Sequence, residues 1–170
     1  MRKLIALAMA VLALGAFSAV AMASGGNPSN GNLVERLQAN PDKYSTLVSL
    51  VVQADLAGAL AGIDEATVFA PTNQAFERLA ASNPDLFAAV LADKALLTKV
   101  LLYHVSPGET TASEIVGLTR VPTLLTPQKI KVSVKNGSVF LNRSSKVVTT
   151  DIQASNGVIH AITEVLIPRV

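Results

Sequence analysis

The chain has no cysteine and no tryptophan, and only 4% of its 170 residues are aromatic. Without cysteine there is no disulfide, no thiol nucleophile and no cysteine-based zinc or haem site. So few rings make it hard to build the stacking platforms that hold single-stranded nucleic acid. Half of the residues are hydrophobic, so the fold must be held together by an aliphatic core.

Acidic residues are also missing from one long stretch, between Glu114 and Asp151. A stretch whose charged residues are all basic could meet an anionic polymer outside the cell, although a solvated strand face is the simpler interpretation. We take Lys129, Lys131 and Lys135 as the candidate polyanion-binding residues. The six basic residues of the stretch are Arg120, Lys129, Lys131, Lys135, Arg143 and Lys146.

Motifs for catalysis and metal binding are missing as well. There is no Gly-x-Ser-x-Gly motif and no phosphate-binding glycine loop. The two histidines, His104 and His160, lie in apolar runs without HxH or HxxxH spacing, which favours bonding to backbone groups in the core over metal ligation. We therefore predict that the protein is not an enzyme and has no catalytic residue, no metal site and no cofactor.

The N-terminus has the pattern of an export signal. Arg2 and Lys3 precede an uncharged run rich in Leu, Ala and Val, which ends in the small-x-small sequence of residues 21–23. We predict a signal peptide over 1–23, a flexible linker over 24–31 and a domain over 32–170. The product would be secreted or periplasmic, with no membrane span after cleavage. An uncleaved membrane anchor is the alternative interpretation of the same run.

The period of the apolar residues changes along the domain. Helical spacing runs from Leu33 to about residue 116, interrupted by a short buried strand over 67–70, and Asp55 is expected to begin a helix as its N-cap. Strict alternation follows over 130–135, and Asn136-Gly137 predicts a tight hairpin. Further strands are predicted at 147–148, 158–159 and 165–167. Helices first and antiparallel strands second indicate an α+β fold.

Three motifs in this order resemble the fasciclin domain family. Residues 67–76 (TVFAPTNQAF) resemble its first signature, 102–105 (LYHV) its central Tyr-His motif, and 156–168 (NGVIHAITEVLIP) its second signature. The resemblance spans residues 32–168. It implies a wedge-shaped β-sandwich with a helical N-terminal half.

The resemblance also implies a role, because fasciclin domains are extracellular adhesion and interaction modules. Cell binding in animal matrix relatives is assigned to the Tyr-His region and to an Asp-Ile pair, which correspond here to Tyr103, His104, Asp151 and Ile152. The aliphatic neighbours of Tyr103 and His104 predict a place in the core for both. The expected partner is an extracellular or cell-envelope protein or polysaccharide, not nucleic acid.

Two other functions stay open beside adhesion. One is a carrier of a small apolar ligand, such as a pigment or a lipid-like molecule, which the aliphatic composition allows. The other is polyanion binding through the basic stretch over 120–146, which can coexist with adhesion. Since a single domain binds one partner weakly, weak homo-oligomerisation would strengthen attachment.

Overall fold

The computed structural model describes residues 31–169. The predicted signal peptide over 1–23 lies outside the described residues, and so does the predicted linker apart from Gly31. Within the described range, no helix has both the length and the apolar character needed to cross a bilayer.

Helices occupy most of the first half of the described chain. Their ends follow local sequence signals: Asn32 and Glu35 form a reciprocal capping box at the first helix, and Asp93 Oδ1 accepts from the Ala95 and Leu96 amides at the sixth. The helices are α1 (Leu33–Gln38), α2 (Pro41–Gln53), α3 (Ala57–Ala61), α4 (Asn73–Ser82), α5 (Pro84–Ala92), α6 (Lys94–Tyr103) and α7 (Ala112–Ile115).

The prediction that Asp55 begins a helix is wrong. Asp55 has φ +62 and follows the end of α2, while Leu56 holds the N-cap position of α3. The Asp55 amide bonds the Val52 carbonyl and the Leu56 amide bonds the Val51 carbonyl. This is the paired Schellman arrangement that ends a helix, with aspartate in the place that glycine usually takes.

Seven strands of the described range form one sheet in the order β2-β1-β7-β6-β5-β4-β3. Neighbours pair antiparallel except β1 and β7, which run parallel. The parallel pair brings the first and the second signature side by side. The strands are β1 (Ala66–Pro71), β2 (Val105–Pro107), β3 (Arg120–Pro122), β4 (Lys129–Lys135), β5 (Ser138–Leu141), β6 (Ser145–Ala154) and β7 (Gly157–Ile162).

The sheet curls until its two ends meet. The amide of Leu124, just after β3, donates to the Val105 carbonyl in β2 at 2.8 Å. One apolar cluster lies between the helices and one side of β1 and β7. A second cluster, which includes Phe69, Ile130 and Leu141, lies between the two halves of the curled sheet. The arrangement confirms the predicted α+β sandwich with a helical N-terminal half.

The predicted Asn136-Gly137 hairpin is present, and one predicted strand is not. Asn136 and Gly137 have φ +50 and +73, as a tight β4–β5 turn requires. Residues 165–167 were predicted to be a strand, yet they form irregular chain. The amide of the buried Leu166 donates to the His104 ring, which lies buried at the C-cap of α6, and not to a neighbouring strand.

Candidate functional site

His104 is a structural residue, held by two backbone groups. It forms the C-cap of α6 and is 2% exposed. Its Nε2 accepts from the Leu166 amide at 2.9 Å, so Nδ1 carries the proton and donates to the Val100 carbonyl at 2.7 Å. Burial lowers the pKa of His104 to about 4, although the bond to Val100 opposes this. The ring is therefore neutral at physiological pH and joins α6 to the C-terminal segment.

Tyr103 is buried too, but its hydroxyl reaches the edge of a cleft. The residue is 5% exposed, and its ring belongs to the cluster inside the sheet. The hydroxyl donates to the Lys129 carbonyl at 3.3 Å and accepts from the Asn142 side-chain amide at 3.1 Å. Its core position is confirmed, and only its polar end faces the surface.

His160 and Asp151 form one network around a bulge in β6. His160 Nδ1 accepts from the Asp151 amide at 3.2 Å, so Nε2 is protonated and donates to the Thr110 carbonyl at 2.9 Å. The ring stacks on Phe69 with centroids 5.8 Å apart. Burial is the main cause that lowers the pKa of His160. His160 thus has the opposite tautomer to the other histidine and is equally committed to the fold.

The Asp151 side chain caps a helix from a distant part of the chain. Its Oδ1 accepts from the Ala112 amide at the start of α7 at 2.9 Å, and the residue has φ +55. The pairing of β6 with β7 shifts register between Thr149 and Ile152, which places Asp151 in the bulge. Asp151 is exposed, whereas Ile152 is half-buried against the helical core.

The predicted contact residues therefore lie in two places. Tyr103 and His104 end α6 and meet β4 and the C-terminal segment. Asp151 and Ile152 lie in the bulge of β6 and meet α7 and β7. Of the four, Asp151 is the residue that offers an exposed charged side chain.

The basic residues do converge. A cleft of about 700 Å³, here called the basic cleft, opens above the Tyr103 hydroxyl. It includes the predicted Lys129 and Lys131, whereas Lys135 lies at the far end of β4 and is not part of the lining. The lining residues are Tyr103, Arg120, Pro127, Gln128, Lys129, Lys131, Asn142, Arg143, Ile167 and Arg169.

Comparison with known proteins identifies the domain. Residues 42–168 match the family described as the Fasciclin domain, which is most of the chain. The chain belongs to the fasciclin domain family. This confirms the resemblance carried by the three motifs.

Relatives of this fasciclin domain occur in bacteria and animals. Protein sll1483 of Synechocystis sp. is 38% identical over 135 residues, covering 79% of this chain and 73% of the relative. Rabbit transforming growth factor-beta-induced protein ig-h3 is 35% identical over 141 residues, and human periostin is 30% identical over 142 residues. The match covers 83% of this chain in both cases, but only 20% and 16% of those longer proteins.

A solved structure shares the fold. The FAS1 domain pair from the insect cell adhesion molecule Fasciclin I superposes with a TM-score of 0.66 at 19% identity, covering 81% of this chain and 51% of that chain. At this identity the similarity concerns the fold alone.

Residues of the second fasciclin signature hold the scaffold together. The Asn156 side chain accepts from the Leu33 amide at 2.8 Å and donates to the Leu60 and Ile63 carbonyls at 2.9 and 3.0 Å. Gly157 is required by space, since a Cβ there would lie 1.9 Å from the Ala66 carbonyl oxygen. These contacts explain the Asn-Gly pair without any binding role.

Three cleft residues of the fasciclin domain were missed by sequence reasoning. Arg169 lies outside the acid-free stretch, and Gln128 and Asn142 carry no charge. The one available signal is Asn142-Arg143 between two alternating segments, which resembles the Asn-Gly hairpin pair with arginine in place of glycine. Only the curled sheet brings these residues next to Lys129 and Lys131.

Proposed function

We propose that this fasciclin domain is an exported adhesion or interaction module, which recognises an extracellular or cell-envelope partner through its outer surface without catalysis. The observation that carries the proposal is the burial and hydrogen bonding of His104 and His160, the two histidines of the sequence. Both rings are buried, and each has both nitrogens bonded to backbone groups. Neither is free to move a proton or to bind a metal ion without breaking the fold.

Relatives support the same proposal. The chain belongs to the fasciclin domain family, and the adhesion and interaction role that this family implies is the basis of the proposal. Asp151 and Ile152 correspond to the Asp-Ile pair to which cell binding is assigned in animal matrix relatives, so we propose the exposed Asp151 and its neighbour Ile152 as part of a contact surface. Secretion through the N-terminal signal and weak self-association remain parts of this proposal.

An attachment assay tests the module. We would compare wild-type cells, cells lacking the gene and complemented cells for binding to surfaces and for aggregation. Loss of the gene should lower attachment severalfold, and complementation should restore it. Equal attachment of all three strains would refute adhesion.

A single substitution tests the contact surface. Asp151→Asn removes the charge but keeps an oxygen that can accept from the Ala112 amide, since asparagine caps helices as well as aspartate does. Asp64→Asn, at another exposed acid, is the matched control. We expect weaker attachment for the first variant only. Identical attachment of both variants would exclude the Asp151 charge from the contact.

The apolar-ligand carrier stays a prediction. Native mass spectrometry of the purified protein tests it directly. A stoichiometric co-purified apolar molecule would favour the carrier over the adhesion module.

A further inference from the structure

The basic cleft concentrates charge in a domain that is balanced overall. Without Arg2 and Lys3, the chain has as many basic as acidic residues, twelve of each. Five of the basic residues line this one cleft, and no acidic residue is in its lining. All five are exposed. Close cations without a carboxylate among them raise the local concentration of anions.

Strand pairing places two of these cations directly opposite each other. Arg120 on β3 is the register partner of Lys131 on β4. Lys129 lies two residues before Lys131, on the same face of β4. Like charges at opposite cross-strand positions destabilise a sheet. An anion bound between the two side chains would relieve this repulsion. Ligand binding therefore explains their placement better than a contribution to the stability of the sheet does.

A third cation is held in a backbone conformation that disfavours it. Asn142 and Arg143 have φ +52 and +74 in the turn between β5 and β6, closed by the bond from the Ser144 amide to the Leu141 carbonyl. The preceding hairpin makes the same kind of turn with Asn136 and Gly137, and Gly137 has φ +73. Arginine thus occupies a position where glycine is unstrained, and such strain is found where a side chain serves binding.

The neutral side chains of the basic cleft fix its walls. The Asn142 side chain accepts from the Lys131 amide at 3.0 Å and donates to the Tyr103 hydroxyl. The Gln128 side chain accepts from the Arg169 amide at 3.1 Å and donates to the Arg169 carbonyl. These bonds join the β5–β6 turn, β4 and the C-terminal segment. The backbone positions that carry the cations are therefore held in place relative to one another.

We propose that the basic cleft binds an acidic polysaccharide, through carboxylate or sulfate groups spaced along the sugar chain. The inference extends the proposed function by naming a ligand class. Five cations spread over a volume of about 700 Å³ suit several anionic groups better than one small anion.

The same lining argues against two other polyanions. Its single aromatic residue, Tyr103, has a buried ring, which leaves no stacking surface for nucleic-acid bases. Its apolar members, Pro127 and Ile167, offer little that could insert into a lipid bilayer. Hydroxyl-rich sugar chains need neither feature.

Direct binding to purified protein tests the inference independently of attachment. The probes are dextran sulfate and polygalacturonate, with neutral dextran, a single-stranded oligonucleotide and phosphatidylglycerol vesicles for comparison. We expect both acidic polysaccharides to bind and neutral dextran not to bind, with affinity that falls as salt is raised. A stronger affinity for the oligonucleotide or the vesicles, or no polysaccharide binding at low salt, would overturn the proposal.

Arg143→Gly is the decisive variant. It removes one cleft cation and relieves the strained turn, so affinity for dextran sulfate should fall roughly three- to tenfold while the melting temperature stays equal or rises. Arg120→Gln and Lys131→Gln should weaken binding to a similar degree. Lys135→Gln is the matched control on the same strand, outside the lining, and should bind as the wild type does.

The outcomes separate this site from the proposed function. Equal affinity of the Arg143→Gly and Lys135→Gln proteins for dextran sulfate would refute polysaccharide binding at the basic cleft. An Arg143→Gly protein with unchanged affinity and a lower melting temperature would refute it as well. Adhesion through the Asp151 surface would survive either result. Conversely, polysaccharide binding that depends on Arg143 stands even if cells attach without the protein.

Discussion

Replacing His104 by glutamine should change how stability depends on pH. The native ring has a pKa of about 4, whereas its ordinary value is 6.5. The unfolded chain therefore binds a proton between these two pH values that the folded chain refuses. Stability contributed by the neutral ring is complete above pH 6.5 and is lost as the pH falls towards 4.

The size of the effect follows from the two pKa values. Their difference of about 2.5 corresponds to a loss of about 3 kcal/mol across the window, at about 1.4 kcal/mol for each pKa unit. Glutamine does not titrate and cannot reproduce both ring bonds, so His104→Gln should be less stable at neutral pH by about 1–3 kcal/mol. The deficit should shrink by about 3 kcal/mol as the pH is lowered to 4, so that the variant there equals the wild type in stability or exceeds it.

Urea unfolding at a series of pH values measures how the free energy of unfolding depends on pH for the wild type and for His104→Gln. His160 and the exposed Glu114, whose pKa values are also lowered, remain in both proteins, so their contributions cancel in the difference. Nitrogen chemical shifts of the ring would independently confirm a protonated Nδ1. A constant gap between the two stability curves would refute the reasoning, because it would mean that His104 protonates as easily in the fold as outside it.

Two further substitutions test the scaffold. Gly157→Ala should destabilise the domain by at least about 3 kcal/mol, since the new Cβ would meet the Ala66 carbonyl oxygen at 1.9 Å. Thermal unfolding compares it with Gly58→Ala, where a Cβ would meet nothing beyond the backbone of its own helix within 4 Å and no loss is expected. Asn156→Asp keeps the acceptor but sets a carboxylate against two backbone carbonyls, so urea unfolding should show a loss of about 2 kcal/mol in stability. Wild-type stability of this variant would contradict the role of the Asn156 amide as a donor to these carbonyls. The exposed N-cap substitution Asn83→Asp should leave stability almost unchanged.

Secondary structure was predictable wherever one local signal acts alone. Asp93 caps α6 and Asn136-Gly137 turns the β4–β5 hairpin, because both effects depend only on nearby backbone. Asp55 misled the prediction since aspartate favours N-caps and also tolerates positive φ, so one residue type fits either end of a helix. Residues 165–167 look like a strand because they are aliphatic, but burial against His104 explains their composition equally well.

The candidate site was predictable only in part. Alternation along β4 put Lys129 and Lys131 on one face, and the family resemblance pointed to Tyr103 and Asp151. Sequence could not show that Arg120 faces Lys131 or that Arg169 returns to the same cleft, because both depend on pairing between distant segments.

The sequence alone determined the family, the change from helices to strands and the aliphatic core, since these are written in residue types, motifs and spacing. Tertiary structure alone decided which side chains are committed to the scaffold and which are free to bind. Both imidazoles are buried and bond backbone groups far away in the chain, and five cations meet only after the sheet curls. Hydrogen bonding and charge act through space, so their partners depend on the folded path of the chain.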